Sequence, residues 1–235
     1  MSAYSHLVVT PRTLSTAEER RETLVDAAVR VFAERGFHGT KVRDIAARAG
    51  ANVAAGHYHF GSKRDLYVEV LRACFAEVRA TLERSGVQPA PAVLARMSRP
   101  ALERLIEKRM AVMMTNLLGP PPSAHGTLML REMLDPSDAL PIVVAEFVEP
   151  MVQETAAIVR RLAPGLDDER LRLCVTSIMG QALFYRATLP VTLRVFGLGE
   201  SFTPAFIRRL ASHIADFSTG GIARVGGRKR SGRAH

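Results

Sequence analysis

Side chains of the types that contact nucleic acid are concentrated between residues 40 and 63. Polar groups that can read the edges of bases are carried by Arg43, Asn52 and His57. A second set lies at helix ends or at the edge of this stretch and can hold phosphate oxygens: Thr40, Lys41, Tyr58, His59 and Lys63. Together the two sets indicate duplex DNA as a ligand, provided that the intervening elements present them on one side.

Capping signals predict that these residues belong to a helix-turn-helix unit. A capping box at Thr16–Glu19 starts a first helix, and Gly36 follows its end near residue 35. A second helix begins after Thr40 and stops at a tight turn at Gly50. A third helix follows over residues 52–59. Two helices joined by a short glycine-containing turn lay the second one in the major groove, so we expect 52–59 to be the recognition helix.

The recognition helix has few long hydrogen-bonding side chains. Its small apolar residues can contact thymine methyl groups, so we expect operator specificity to depend mainly on thymine positions. Gly56 lies inside this helix and costs about 1 kcal/mol relative to alanine. Tyr58 and Phe60 could instead be ordinary core aromatics, and for Phe60 the core is the favoured interpretation.

These residues resemble the TetR family of transcriptional regulators. The motifs that carry the resemblance are Ala27–Ala28, Phe32–Thr40, Asp44–Ala46, Ala49–Gly50, Tyr58–Phe60 and Ser62–Leu66. The resemblance implies that Thr40, Tyr58 and Lys63 contact phosphates.

A second resemblance lies farther along the chain. Its motifs are Leu130–Pro136, Glu149–Pro150 and Ser177–Ala182, and they are similar to the CerR-like C-terminal domain of one TetR subgroup. This resemblance implies that the last two long helices form a four-helix interface in a homodimer, and it supports a ligand cavity.

Length and charge limit the class of protein. A chain of 235 residues suits one small domain joined to a larger one. The formal charge of +9 favours a polyanionic partner, although part of it lies in a basic tail that begins at Arg224. The two cysteines, Cys74 and Cys174, are predicted to be reduced thiols. Because no apolar stretch is long enough to cross a bilayer, we expect a soluble cytoplasmic protein associated with the nucleoid.

The remaining pattern is helical, with no period-two run, and predicts an all-α fold. Further helices are expected over residues 62–84, 102–118, 126–134, 139–162, 167–188 and 203–218. The predicted divisions are a flexible arm over 1–15, a helix-turn-helix DNA-binding domain over 16–67, a helical ligand-binding and dimerisation domain over 68–222, and a basic disordered tail over 223–235.

Apolar stripes on the last two long helices are predicted to form the dimer interface. A single recognition helix contacts few base pairs. Two subunits bound to half-sites about 34 to 36 Å apart are therefore the usual arrangement. The predicted interface residues are Leu171, Val175, Ile178, Gly180, Ala182, Tyr185, Phe206, Leu210, His213 and Phe217. The same stripes could equally belong to the core of one subunit.

Methionines in the middle of the chain predict a pocket for a small amphipathic or aromatic ligand, because thioethers adapt to varied shapes. The predicted lining is Met110, Met113, Met114, Met129, Met133, Met151, Met179, Phe147 and Phe184, with His125, Arg131 and Glu132 as polar groups. An ordinary core would use the same residues. Arg131 and Glu132 could instead pair with neighbours.

Other functions have less support. His57 and His59 face opposite sides of a helix, so no metal site is predicted there, and no cofactor is expected. An enzyme using His125 and Glu132 lacks a nucleophile motif or a phosphate-binding loop. The main prediction is a ligand-responsive homodimeric repressor with an operator, a second copy and an effector as partners. The alternative is a DNA-bound structural or cell-cycle factor whose larger domain binds a protein.

Overall fold

A computed structural model describes residues 16–51, 60–119 and 124–227. Within these ranges the chain consists of helices and connecting turns without a strand, so the all-α prediction is confirmed. The helices are α1 (Thr16–Gly39), α2 (Val42–Arg48), α3 (Lys63–Arg84), α4 (Pro91–Leu94), α5 (Arg99–Leu118), α6 (Ala124–Leu134), α7 (Leu140–Val143), α8 (Glu149–Leu162), α9 (Asp168–Ala187), α10 (Leu189–Val195) and α11 (Pro204–Gly226). The predicted recognition helix over 52–59 lies outside the described residues.

Local signals account for the ends of the first helices. Gly36 has φ 70° and interrupts α1 where a left-handed residue was expected. Gly50 has φ 64° after α2. The Ser62 side chain accepts a hydrogen bond from the Asp65 amide while the Asp65 carboxylate binds the Ser62 amide, which is the reciprocal box predicted for the start of α3.

The helix predicted over 139–162 is divided. A π-helical turn, Val144–Val148, separates α7 from α8. Pro150 explains this turn, because it has no N–H to donate to the carbonyl of Glu146 four residues earlier. The Arg79 guanidinium donates to that carbonyl instead, at 3.1 Å.

The last helix is longer than predicted. It continues past residue 218 to Gly226, so the segment predicted as a disordered tail begins inside α11. Ile222 explains the extension, because its side chain is 2% exposed and packs in the core of the larger region. Tertiary burial overrides the weak helix propensity of Gly220 and Gly221.

The buried residues form two clusters. The larger cluster is built from α5, α8, α9 and α11. The smaller one joins α1, α2 and α3 to α6, α7 and the π-helical turn, with Phe32, Tyr67 and Leu128 among its members. Because this second cluster crosses from the predicted DNA-binding domain into the larger one, α6 packs directly on α1.

Candidate nucleic-acid interface and internal cavity

The outer side of α2 presents basic side chains. Ile45 and Ala46 are the buried residues of α2, and Ile45 packs in the smaller cluster, which leaves Lys41 and Arg43 on the exposed side. Arg43 is 70% exposed in its side chain, and its Nε lies 4.0 Å from the Asp44 carboxylate. Arg48 is held by Glu34 at 2.8 Å. Arg43 is therefore better placed than Arg48 to reach a base or a phosphate.

Two predicted phosphate contacts are engaged with the protein itself. The Thr40 side chain is buried, and its hydroxyl donates to the Gly36 carbonyl at 2.7 Å. The Lys63 ammonium donates to the carbonyls of Phe37 and Thr40 and lies over the Phe37 ring at 4.3 Å. In this structure both side chains hold the junction between α1 and α2. Their predicted contacts with phosphate stay predictions, and the Lys63 ammonium has a third N–H beyond the two that donate to these carbonyls.

Four predicted DNA-contacting residues lie outside the described residues. They are Asn52, His57, Tyr58 and His59. Their roles stay predictions from the sequence.

A cavity of about 150 Å³ lies among α3, α5, α6, α8 and α9. Predicted residues that line it are Met110, Met113, Met129, Met133, Phe147, Met151 and Met179. Sequence reasoning missed Cys74, Val78 and Leu82, whose spacing of four residues along α3 is the signal that could have identified them. We call this space the methionine cavity.

Three residues that were predicted to contact the ligand are not among those that line the cavity. Met114 is fully buried in the larger core rather than at the cavity. Phe184 is 59% exposed because it lies on the outer face of α9. Arg131 points from α6 towards α1, as described below. The side chain of His125 lies outside the described residues.

The polar groups at the methionine cavity are already bonded. Arg109 donates to Glu154 at 3.0 Å and to the Val87 carbonyl at 2.9 Å, and Gln88 also binds Glu154. The Thr155 hydroxyl donates to the Met151 carbonyl. Arg109 therefore brings no unbalanced charge to the cavity.

Cys74 is an unreactive wall of the cavity. Burial raises the pKa of its thiol to about 12, with a smaller contribution from the Glu77 charge. Burial also raises the pKa of the Cys174 thiol. Both cysteines are free and the thiol of Cys74 stays protonated at neutral pH, which fits the predicted reduced state.

Opposite the cavity, α6 is attached to the DNA-binding region by a polar network. The Tyr67 hydroxyl donates to the buried Glu132 carboxylate at 2.7 Å, and the Ser137 amide and hydroxyl donate to its other oxygen. Arg131 donates to the carbonyls of Ala33 and Glu34 in α1 at 2.8 and 2.9 Å. We call this contact of α1 and α3 with α6 the α1–α6 joint.

The joint corrects the roles predicted for two residues. Arg131 and Glu132 were predicted as candidates for the polar groups that orient a ligand. Both instead pair with neighbours, the alternative that the sequence left open. The network also raises the pKa of Tyr67, first through burial and then through its hydrogen bond to Glu132.

A second contact connects the cavity wall to α3. Phe147, from the π-helical turn, stacks on Phe75 with ring centroids 4.3 Å apart. The neighbouring Glu146 receives two hydrogen bonds from Arg72, at 2.7 and 3.0 Å. The π-helical turn therefore contacts both the cavity and the helix that follows the DNA-reading unit.

The predicted dimer residues divide between the core and the surface. Five of them are buried within the chain and so are corrected to core positions: Leu171, Val175, Ile178, Ala182 and Leu210. Tyr185 and Phe206 are half-buried, while Gly180, His213 and Phe217 are exposed. The structure adds Leu173 and Phe184, which are exposed on α9. Apolar groups therefore remain uncovered on the outer faces of α9 and α11.

The described residues hold no group of three or more His, Cys, Asp or Glu side chains that could bind a metal ion. Within the same ranges, no helix has the length and hydropathy needed to cross a membrane.

Two family profiles match this chain. Residues 24–70 match the profile of bacterial regulatory proteins of the tetR family, and residues 98–222 match the C-terminal domain of the HTH-type transcriptional dual regulator CecR. The chain belongs to the TetR family. Its larger domain is of the CecR type, the subgroup that the sequence analysis predicted as CerR-like.

Individual relatives agree with this membership. The chain is 29% identical over 177 residues to CecR from Shigella flexneri, a match that covers 72% of this chain and 76% of that protein. It is 34% identical over 55 residues to IcaR, a negative transcriptional regulator of the biofilm operon icaADBC in Staphylococcus aureus strain Newman. That second match covers only 23% of this chain and 30% of IcaR.

Solved structures confirm the fold. A TetR-like transcriptional regulator from Rhodococcus sp. RHA1 superimposes with a TM-score of 0.61 at 19% identity, over 89% of this chain and 100% of that one. The two profile matches and the similarity to CecR show that this TetR-family member is a DNA-binding transcriptional regulator.

Proposed function

We propose that this regulator is a homodimeric repressor that a small hydrophobic or amphipathic molecule releases from a palindromic operator. The observation that carries the proposal is the position of α6. One of its faces lines the methionine cavity through Met129 and Met133, and another holds α1 through Arg131. A ligand that displaces α6 would therefore move the DNA-reading unit.

The route through α6 is short and direct. Arg131 lies between the cavity residues Met129 and Met133, so a shift of this helix moves its guanidinium. The guanidinium binds α1 just before the kink at Gly36, and Thr40 and Lys63 tie the following junction to α2. Displacement at the cavity would thus reach the helix-turn-helix unit without a flexible connection.

The π-helical turn supplies a second route. Phe147 lines the cavity and stacks on Phe75 in α3, and Arg72 holds the same turn through Glu146. A single-turn π-helix inside a longer helix is often found at functional sites. A ligand pressing on Phe147 would change the position of α3 and hence the separation of two recognition helices.

The effector must bind one conformation of the regulator more tightly than the other. A ligand with equal affinity for both conformations does not shift the equilibrium between them. A preference of about 3 kcal/mol for the arrangement that does not fit DNA would weaken operator binding roughly a hundredfold. Methionine side chains suit this role because they repack around differently shaped ligands.

A second copy of the chain is the proposed partner of the exposed faces of α9 and α11. Gly180 and Phe184 lie on one helix, and His213 and Phe217 lie on the other. Two such helices from each subunit would form a four-helix interface. Isologous pairing would place the two reading units on successive half-sites of a palindrome.

The direction of control is proposed to be repression. IcaR, which is similar over 55 residues, is named a negative regulator, whereas CecR is named a dual regulator. Because it acts on DNA, we expect this protein to be cytoplasmic and associated with the nucleoid. The cavity supports a small effector over the protein partner of the alternative hypothesis, which would need an open groove.

Fluorescence anisotropy with the DNA upstream of the chain's own gene tests operator binding and release. We expect tight, salt-dependent binding that weakens when aromatic or amphipathic compounds from a panel are added. Equal affinity for the upstream DNA and scrambled DNA would contradict the proposal. Unchanged operator affinity at saturation with every compound that binds would contradict effector control.

Variants of α2 separate base reading from general attraction. Arg43→Ala should lower discrimination between operator and scrambled DNA, by about 1–3 kcal/mol if the guanidinium reads a base. Arg48→Ala is the matched control, because it removes the same charge from the same helix at a side chain held by Glu34. Equal losses on operator and scrambled DNA for Arg43→Ala would show that Arg43 contacts only phosphate.

Phe217→Glu tests whether the exposed faces of α9 and α11 form the proposed dimer interface. A carboxylate at this exposed position should convert the dimer to monomers in sedimentation velocity, because it would be buried without a partner. Val93→Glu, at an exposed valine of α4, is the control that should leave the dimer intact. A dimer that survives Phe217→Glu would place the interface elsewhere.

A further inference from the structure

Arg186 is a cation with no carboxylate partner among residues 16–51, 60–119 and 124–227. It lies in the last turn of α9, and its Nη2 donates to the Thr127 hydroxyl at 2.5 Å. Its Nε is buried and has no hydrogen-bond partner in the part of the chain that the structure describes. Among the described residues no acidic side chain pairs with this guanidinium, and burial lowers its pKa. A buried, unpaired guanidinium N–H is costly unless something binds it.

The position of Arg186 relates it to the methionine cavity. Met179 and Leu183 line the cavity from α9, and Arg186 follows them at positions i+7 and i+3 on the same face of the helix. Its partner Thr127 follows Gly126, which also lines the cavity. Arg186 and Thr127 do not line the cavity themselves, but each lies within one helical turn of a lining residue, and their hydrogen bond joins the end of α9 to the first turn of α6.

The charged residues that line the cavity supply no counter-charge for the Arg186 guanidinium. Arg109 is neutralised by Glu154. Glu77, on α3, already takes part in another interaction. The helix C-terminus favours a cation in the last turn of α9, but it supplies no acceptor for the buried Nε.

We propose that Arg186 anchors the anionic group of an aromatic carboxylate whose ring occupies the methionine cavity. This inference rests on the proposed function, because it names the chemistry of the effector. A cavity of about 150 Å³ matches an apolar cavity that holds benzene, so the space fits one aromatic ring. Thioethers contact ring edges favourably, and a guanidinium binds a carboxylate through charge-assisted hydrogen bonds.

Three probes with one ring and different head groups test the proposal on the full chain without DNA. Calorimetry would compare 3-phenylpropionate with the neutral 3-phenylpropanol and the cationic 3-phenylpropylamine. We expect the carboxylate to bind about tenfold more tightly than the alcohol, and the amine most weakly. This series needs no variant, so it does not depend on the folding of one.

Variants then assign the preference to Arg186. Arg186→Gln should bring the carboxylate and the alcohol to within about twofold of each other, while Arg186→Lys keeps most of the preference. Arg104→Gln is the matched control, because it removes an exposed charge from α5, which also lines the cavity. It should leave the preference unchanged.

Several outcomes would overturn the inference. These are equal binding of alcohol and carboxylate to the unmodified chain, no binding of any probe, or a preference that survives Arg186→Gln. A weaker dimer with an unchanged preference would assign Arg186 to the partner subunit instead. Release of operator by neutral compounds alone would overturn this inference while leaving the proposed function standing.

Discussion

The α1–α6 joint and the methionine cavity lie on different faces of one helix but are built from different chemistry. The joint holds a buried carboxylate with three donors, and Arg131 binds two backbone carbonyls. The cavity is lined mostly by apolar side chains, and six of these are methionines, whose thioethers have no directional partners. Hydrogen bonds fix one geometry, whereas methionines accept several. The comparison indicates that α6 can adapt to a ligand on one side while keeping a rigid grip on α1 on the other.

A substitution at the centre of the joint should destabilise the protein strongly. Glu132→Ala leaves the Tyr67 hydroxyl and the Ser137 amide and hydroxyl without their acceptor, so it should lower the free energy of unfolding by about 4 kcal/mol. Urea denaturation measures it. Glu107→Ala, at an exposed glutamate of α5, should change stability by less than about 0.5 kcal/mol. A loss below about 1 kcal/mol for Glu132→Ala would mean that the joint is not rigid.

Adjacent residues of α6 sharpen the contrast between its faces. Leu128 is fully buried in the joint, so Leu128→Ala should cost about 2–5 kcal/mol. Met129 lines the cavity, and Met129→Leu should cost less than about 1.5 kcal/mol while changing which probes bind. Thermal unfolding and calorimetry measure the two effects. If Met129→Leu were as destabilising as Leu128→Ala, the cavity would be no more adaptable than the joint.

A smaller effect is expected where the joint meets α1. Arg131→Gln removes charge-assisted hydrogen bonds to Ala33 and Glu34, which should cost about 1–2 kcal/mol and speed amide exchange near the kink at Gly36. Hydrogen–deuterium exchange measures the local loosening. Arg30→Gln, at an exposed arginine of α1, serves as the control and should leave exchange near Gly36 unchanged. Similar exchange in both variants would argue against a grip through Arg131.

The smallest effect is a pH dependence on the cavity side. The folded state keeps the Cys74 proton up to a pKa of about 12, whereas an unfolded thiol releases it above about 8.5. The contribution of this thiol to the free energy of unfolding is therefore fully present below pH 8.5 and is lost as pH rises towards 12. Relative to Cys74→Ala, the unmodified chain should lose about 1 kcal/mol between pH 9 and 10 in urea denaturation. If the stability difference between the unmodified chain and Cys74→Ala did not change with pH, the Cys74 thiol would be open to water. Cys174→Ala is the control, because this thiol is only half-buried, so its stability difference should change less with pH.

The apolar stripes of α9 show where prediction from the sequence stopped. Helical spacing selected Leu171, Val175, Ile178 and Ala182 as one face, and that face exists, but it packs into the chain's own core. A period of 3.6 residues identifies a face without saying what covers it. Leu173 and Phe184, which stay exposed, fell outside the stripe and so were not among the residues of the predicted dimer interface.

Sequence patterns alone were enough to predict the all-α fold, the family, the cap of α3 at Ser62 and the turns at Gly36 and Gly50. These depend on contacts within a few residues, or on a motif that spans one short unit. The packing of distant helices was needed to see that Arg131 and Glu132 bind the DNA-reading side, and that Arg186 joins the end of α9 to α6 through Thr127. Each of these roles depends on helices far apart in the chain, and local spacing carries no information about which helices become neighbours.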